Sequence, residues 1–192
     1  MAASLQSSHF SAQELNPAQR YLYFAYGSNM SVSQIRERID NSEEKVIVLG
    51  RAVLQNYQLI FNKKSSLHSV GGKQVSLLNG KANIAKSVHS SVAGVLFSLT
   101  ENQVVRMDQY EGARIHPPHY LKKVVSVEML DGQNKGVSVN AITYIASDRF
   151  TSQGYIKPTE DYLETILTGA KENGIDTDPI ELAANNYSKA SF

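Results

Sequence analysis

The sequence predicts a single α+β domain, in which a mixed, mainly antiparallel sheet curls into a small barrel with flanking helices. A chain of 192 residues suits one domain with a core large enough to surround a pocket. The helical segments are few and fall between β-hairpins, an order typical of such a barrel. We expect a flexible N-terminal arm over residues 1–20 and the folded domain over residues 21–192.

The first strand ends abruptly within "YFAYGSNM", residues 23–30. The aromatic run up to Tyr26 has strand chemistry, whereas the Gly-Ser-Asn that follows favours a turn. "SVSQIRERI" is then a short helix with Ser31 as its N-cap. The break is either a plain connection or a binding loop, since backbone N–H groups at such a turn suit a carboxylate or an oxyanion.

The next stretch alternates between β-rich and polar composition. Residues Lys45 to Phe61 are apolar enough for one or two strands, with a break at Gly50. Asn62 to Lys81 is rich in Ser, Lys, Gly and Asn, which predicts a long, mobile loop beside the pocket, with Lys63 solvated. "SVAGVLFSL" then restores strand character.

A helix and a hairpin follow. Thr100 caps the helix "ENQVVRMDQY", Gln103 completes a capping box, and the helix ends near Gly112. "YLKKVVSVEML" and "GVSVNAITYIA" flank Asp131-Gly132, which is a strong hairpin signal. This hairpin is the reason to expect a mainly antiparallel sheet.

The C-terminal part predicts two helices. Pro158 begins the helix of "PTEDYLETILTGAKENG", Gly174 ends it, and Asp178 begins a shorter one. Tyr144 on the preceding strand and Tyr162 on the helix are each placed to offer a phenol at the rim of an apolar pocket. In most proteins such tyrosines are simply part of the core.

Composition excludes several kinds of chemistry. The formal charge of +1 gives no global attraction to nucleic acid or to an anionic membrane, so a small neutral or zwitterionic ligand fits better. The absence of cysteine excludes disulfides, thiolate nucleophiles and cysteine-based zinc sites. The polar N-terminus lacks the apolar stretch of a secretory signal, so we expect a soluble cytoplasmic protein.

Two further motifs could carry chemistry. Glu111 ends a helix, where the macrodipole and neighbouring tyrosines would raise the pKa of its carboxyl toward that of a base. The alternative is a surface glutamate paired with Arg114. His116 and His119 flank Pro-Pro, which prevents a regular helix, so we expect no metal. Ser28 lacks a nucleophile elbow and a recognisable base.

Three motifs together resemble a known family. "YFAYGSNM", "DQYEG" and "PTEDYLETILTGAKENGI" occur in the order of the γ-glutamylcyclotransferases, most closely the eukaryotic type, and span most of residues 21 to 176. The resemblance implies a small barrel-like fold and catalysis by Glu111 as general acid/base. It also implies a substrate-binding set near the loop: Tyr26, Gly27, Ser28, Asn29 and Met30, with Tyr144 and Tyr162 less securely aligned.

The resemblance implies conversion of γ-glutamyl amino acids to 5-oxoproline without metal or cofactor, because the substrate's α-amine is itself the nucleophile. A Tyr-Gly-Ser-Asn loop favours γ-glutamyl amino acids over γ-glutamylamines or glutathione, which remain alternatives. A noncatalytic binding module of the same fold is another alternative, although such a module has no need of Glu111. We expect no nucleic-acid or membrane partner, and a homodimer stays open.

Overall fold

The computed structural model describes residues 19–41, 43–65, 68–70, 73–75 and 79–185. Except for its last two positions, the predicted arm over residues 1–20 lies outside the described residues. No helix in these described ranges is both long enough and apolar enough to cross a membrane.

The sheet closes into a barrel, which confirms the predicted fold class. In chain order the strands are β1 (Arg20–Ala25), β2 (Ile47–Lys64), β3 (His68–Val70), β4 (Lys73–Val75), β5 (Gly80–Thr100), β6 (Tyr120–Met129) and β7 (Ser138–Ala146). The barrel order is β1-β5-β2-β6-β7, and these neighbours pair antiparallel. A parallel contact between Tyr23 and Ile142 closes β7 onto β1, while β3 and β4 form a separate hairpin.

Strands β2 and β5 are longer than the sequence predicts. β2 continues through Gly50, where a φ of 124° and a register shift make the predicted break a bulge. Both strands extend into the stretch predicted as a loop, so that prediction is wrong for residues 62–64 and 80–81. It is also wrong for residues 68–70 and 73–75, which form the β3–β4 hairpin, while residues 66–67, 71–72 and 76–78 lie outside the described part. Strand alternation turns Lys63 inward, where it is 3% exposed, so the solvated position predicted for it is also wrong.

The helix boundaries follow the local capping signals. α1 (Val32–Ile39) begins after Ser31, whose hydroxyl accepts from the N–H of Gln34, and α2 (Glu101–Tyr110) begins with the predicted Thr100 capping box. α3 (Glu160–Glu172) has Thr159 as its N-cap, so it begins two residues after Pro158. It ends before Gly174, at φ 65°, and α4 is Asp178–Asn185.

The core lies within the barrel and beneath α1, α2 and α3. Its largest fully buried side chains come from β1, β2, β5 and these helices: Phe24, Phe61, Phe97, Ile35, Met107 and Ile166. A 3₁₀ turn at Ser28–Met30 leads from β1 into α1, and it contacts α1 and α3. The break that the sequence shows after Tyr26 therefore lies where the barrel meets α1 and α3.

Candidate active site

A cavity of about 210 Å³ opens beside the break after β1. Seven of the eight residues predicted for the site line it: Tyr26, Gly27, Ser28, Asn29, Glu111, Tyr144 and Tyr162. They come from the 3₁₀ turn, the end of α2, β7 and α3. We call this cavity the pocket.

Met30 is the exception among the predicted substrate-binding residues. Its side chain is completely buried and belongs to the hydrophobic core, and it is not among the residues that line the pocket. Because Met30 ends the 3₁₀ turn, its side chain packs into the core while the preceding three residues face the cavity. The side chain of Met30 therefore has a packing role, and a contact between Met30 and the substrate stays a prediction.

The loop approaches its neighbours closely at Gly27. A Cβ atom there would lie 3.3 Å from the Cβ of Ala82 and 3.8 Å from the hydroxyl oxygen of Tyr162. The carbonyls of Gly27 and Ser28 accept from the N–H groups of Met30 and Ser31 in the 3₁₀ turn. No acceptor for the backbone N–H groups of Ser28 and Asn29 is found within the described ranges, so both are available to a ligand in the pocket.

The side chain of Asn29 joins the loop to Glu111. Its Nδ2 donates to Glu111 Oε1 at 2.9 Å and to the hydroxyl of Tyr23 at 2.9 Å. Its Oδ1 accepts from Arg38 Nη1 at 2.5 Å. The amide is thus held on both sides, and it orients the Glu111 carboxylate within the pocket.

Glu111 is the C-cap residue of α2, as the sequence predicts, and its side chain is partly buried where it lines the pocket. Burial raises the pKa of Glu111 above its usual value, while Arg38, the hydrogen bond from Asn29 and Lys63 act in the opposite direction. No ion pair joins Glu111 to Arg114 among the residues described, and Arg114 is exposed. A desolvated carboxylate near protein cations can exchange a proton with a bound ligand.

Hydroxyl groups of tyrosine form much of the remaining pocket wall. Tyr144 donates to Asp108 Oδ1 at 2.7 Å, and Tyr26 donates to the backbone carbonyl of Tyr144. The Tyr162 hydroxyl accepts from the N–H of Ala82 at 3.2 Å. Burial raises the pKa of Tyr162 to about 12, so this phenol stays protonated at neutral pH.

Two cations that the sequence analysis does not single out also line the pocket. Arg38 reaches it from the last turn of α1, and its guanidinium carbon lies 5.5 Å from the centre of the Tyr110 ring. Lys81 reaches it from the start of β5, with Nζ 3.9 Å from the centre of the Tyr162 ring. No local signal could have identified Lys81, because its stretch of sequence has the composition of a loop.

Helix α3 holds the loop from the side opposite to the barrel. A Cβ at Gly169 would lie only 2.4 Å from the backbone nitrogen of Ser31, so the helix and the loop touch through their backbones. Asn173 Nδ2 donates to the carbonyl of Met30 at 3.0 Å. The "TGAKENG" segment, to which the sequence alone assigns no chemistry, therefore supports the loop.

The pocket, with a volume of about 210 Å³ and a carboxylate in its wall, has the size of a small-molecule site. The family model described as "Gamma-glutamyl cyclotransferase, AIG2-like" matches residues 23–164. The chain belongs to this family. The matched segment includes the loop, Glu111, Tyr144 and Tyr162.

Individual relatives agree with this assignment. The chain is 26% identical over 155 residues to gamma-glutamylcyclotransferase of Bos taurus and 27% identical to that of Homo sapiens, covering 81% of this chain and 72% of each relative. A solved structure named "Gamma-glutamyl cyclotransferase" superposes with a TM-score of 0.66 at 26% identity. That superposition covers 88% of this chain and 92% of the other.

Proposed function

We propose that the protein converts γ-glutamyl amino acids into 5-oxoproline and a free amino acid. Membership of the cyclotransferase family supports an enzyme of this type. The single observation that carries the proposal for the site is the desolvated Glu111 carboxylate, held by Asn29 within a pocket of small-molecule size. A pure binding module has no need of a carboxylate in this position.

The reaction needs only a proton carrier, because the substrate contains both reacting groups. Glu111 takes a proton from the α-ammonium, and the resulting amine nitrogen attacks the γ-carbonyl carbon to close a five-membered ring. The bond from that carbon to the departing nitrogen then breaks, and Glu111 returns its proton to this nitrogen. The attacking nitrogen, which still carries two hydrogens after ring closure, releases one of them to water, and the departing amine takes up a proton from water to leave as an ammonium. The N–H groups of Ser28 and Asn29 are available to the oxyanion of the intermediate or to the α-carboxylate.

The raised pKa of Glu111 suits both halves of this exchange. A carboxylate with an ordinary pKa is a weak base toward an ammonium, whereas burial favours the neutral acid and so strengthens the base. Arg38, the hydrogen bond from Asn29 and Lys63 oppose the effect of burial on this pKa, because each of them favours the ionised carboxylate. The same balance lets Glu111 act first as a base and then as an acid.

A substrate panel tests the proposal directly. The purified protein is incubated with γ-glutamyl-alanine, glutathione and ε-(γ-glutamyl)-lysine, and release of 5-oxoproline is followed by mass spectrometry. We expect turnover of the dipeptide and weaker turnover of the other two compounds. Absence of 5-oxoproline from all three would contradict the proposal.

A cytoplasmic location is part of the same proposal, since the cysteine-free composition suits a reducing compartment.

A further inference from the structure

The pocket contains two cations that form no ion pair in the described part of the chain. The ion pairs there join Arg51 to Asp131, Arg106 to Glu44 and Lys122 to Asp108, and none includes Arg38 or Lys81. The Nζ of Lys81 makes its contact with the face of the Tyr162 ring. Both side chains are only partly exposed.

The two cations line the same cavity and carry like charges. Burial and, to a smaller extent, the positive charge of Arg38 lower the pKa of Lys81. Placing like charges together in a half-buried pocket is unfavourable unless an anion binds between or beside them. Glu111 supplies only one negative charge against these two positive charges. This arrangement indicates that the pocket binds a ligand that is itself negatively charged.

The two cations differ in what they can still bind. Arg38 Nη1 is engaged by Asn29, which also holds Glu111, so Arg38 belongs to the end of the pocket where the proposed proton exchange occurs. Lys81 precedes Ala82, whose N–H bonds the Tyr162 hydroxyl and whose Cβ lies against Gly27. Lys81 therefore lies beside the loop with its three ammonium hydrogens available.

Resting on the proposed function, we infer that Lys81 is a specificity-determining residue that binds the carboxylate of the departing amino acid. The γ-glutamyl half carries one carboxylate, which lies on the same carbon as the reacting amine and so stays near Glu111, Asn29 and Arg38. A γ-glutamyl amino acid carries a second carboxylate on its departing half. A γ-glutamylamine lacks this second carboxylate and leaves Lys81 without an anion.

Two substrates that differ only in this carboxylate test the inference. γ-Glutamyl-alanine and γ-glutamyl-ethylamine share the γ-glutamyl half and the two-carbon departing chain. We expect Lys81→Met to lower kcat/KM for γ-glutamyl-alanine about 10- to 100-fold, as for loss of a charged hydrogen bond, mainly through KM. For γ-glutamyl-ethylamine we expect a change of less than about 3-fold, within the variation of a neutral surface contact.

Two further variants separate this role from a structural one. Lys81→Arg keeps the charge and should retain most of the discrimination between the two substrates. Lys86→Met removes an exposed lysine of the same strand outside the pocket and should leave both substrates unaffected. Equal losses for both substrates in Lys81→Met, or no loss for either, would overturn the inference.

The failure of this inference is distinguishable from failure of the proposed function. If the wild-type protein releases 5-oxoproline from neither compound, the proposed reaction is wrong. Calorimetry with the same two ligands then still measures whether Lys81→Met selectively weakens binding of the compound with two carboxylates. Equal affinities of the wild-type protein for both ligands would overturn the carboxylate site itself.

Discussion

At the scale of single residues, the side chain of Asn29 explains how the loop and Glu111 form one site. The two residues lie 82 positions apart in the chain and meet at 2.9 Å. Because both ends of the Asn29 amide are already bonded, this side chain orients Glu111, and we expect the loop to contact a substrate through its backbone N–H groups. Local sequence leaves Glu111 open to a surface pairing with Arg114, since only the closed barrel brings Asn29 to it.

Lys63 provides a test of the electrostatics around Glu111. It is buried with its Nζ 5.2 Å from the centre of the Tyr120 ring, and its positive charge lowers the pKa of Glu111. Lys63→Met should therefore raise that pKa and move the acidic limb of the kcat/KM profile to higher pH, because Glu111 must be ionised to accept a proton. The value of kcat/KM at pH values above this acidic limb should change much less.

The neighbouring lysine supplies the control for this pH profile. Lys64 is exposed on the same strand, so Lys64→Met should leave the acidic limb in place. A limb that stays put or moves to lower pH in Lys63→Met would contradict the assignment of Glu111 as the titrating base.

At the scale of elements, the site depends on the 3₁₀ turn, which is held between β5 and α3. The capping residues Ser31, Thr100 and Gly174 are predictable from the sequence because caps depend on a few adjacent residues. The full lengths of β2 and β5 are not predictable in this way, because pairing between the two strands extends them through residues of loop-like composition. For this reason Lys81 was not predicted as a residue of the site.

Gly27 tests the approach of a ligand to the turn. A valine side chain would add bulk at a position where even a Cβ lies 3.3 Å from Ala82, on the wall of the pocket. Gly27→Val should reduce affinity for a γ-glutamyl dipeptide by at least about 10-fold in calorimetry, as expected for steric exclusion. Gly154→Val, where nothing lies within 4 Å of an added Cβ, is the matched control. Unchanged affinity in a folded Gly27→Val protein would show that the ligand binds elsewhere.

Gly169 tests the support that α3 gives the turn. Alanine is the better helix former, yet its Cβ would lie 2.4 Å from the Ser31 nitrogen and 2.8 Å from the Met30 carbonyl carbon. We expect Gly169→Ala to lower stability by about 1–3 kcal/mol, the usual cost of overpacking, and to weaken turnover by shifting the loop. Thermal unfolding measures the first effect, and Gly154→Ala is the control. A Tm equal to or above that of the wild type would show that the helix and the loop are not in close contact.

At the scale of the whole molecule, the barrel holds in place the helix α2, which carries Glu111 at its end. Asp108 on α2 accepts from Tyr144 on β7 and from Lys122 on β6, each at 2.7 Å. These bonds attach the last turn of α2, and with it Glu111, to two strands. The fold class was predictable because hairpin and helix signals are local. Only some of the residues that line the pocket were predictable, because closure of the barrel is what brings Arg38 and Lys81 to it.

The chemistry of the whole chain predicts independence from metals and thiols. The sequence contains no cysteine, and the part of the chain that the structure describes holds no group of three side chains able to bind a metal. Turnover should therefore be unchanged, within about 2-fold, by EDTA or iodoacetamide, because neither reagent has a target in the proposed mechanism. Activity that is lost in EDTA and restored by a divalent ion would contradict this mechanism.

The most direct test of the central claim is the turnover of Glu111→Gln with a γ-glutamyl dipeptide. Glutamine keeps the volume of the side chain and can still accept the hydrogen bond from Asn29, but it cannot take a proton from the α-ammonium. We predict a fall in kcat of about 10²- to 10⁴-fold, the usual contribution of a positioned acid/base, with far less change in affinity. The Tm should hold or rise, since a desolvated carboxylate is removed. A folded Glu111→Gln protein that forms 5-oxoproline at the wild-type rate would contradict the role of Glu111 as the proton carrier.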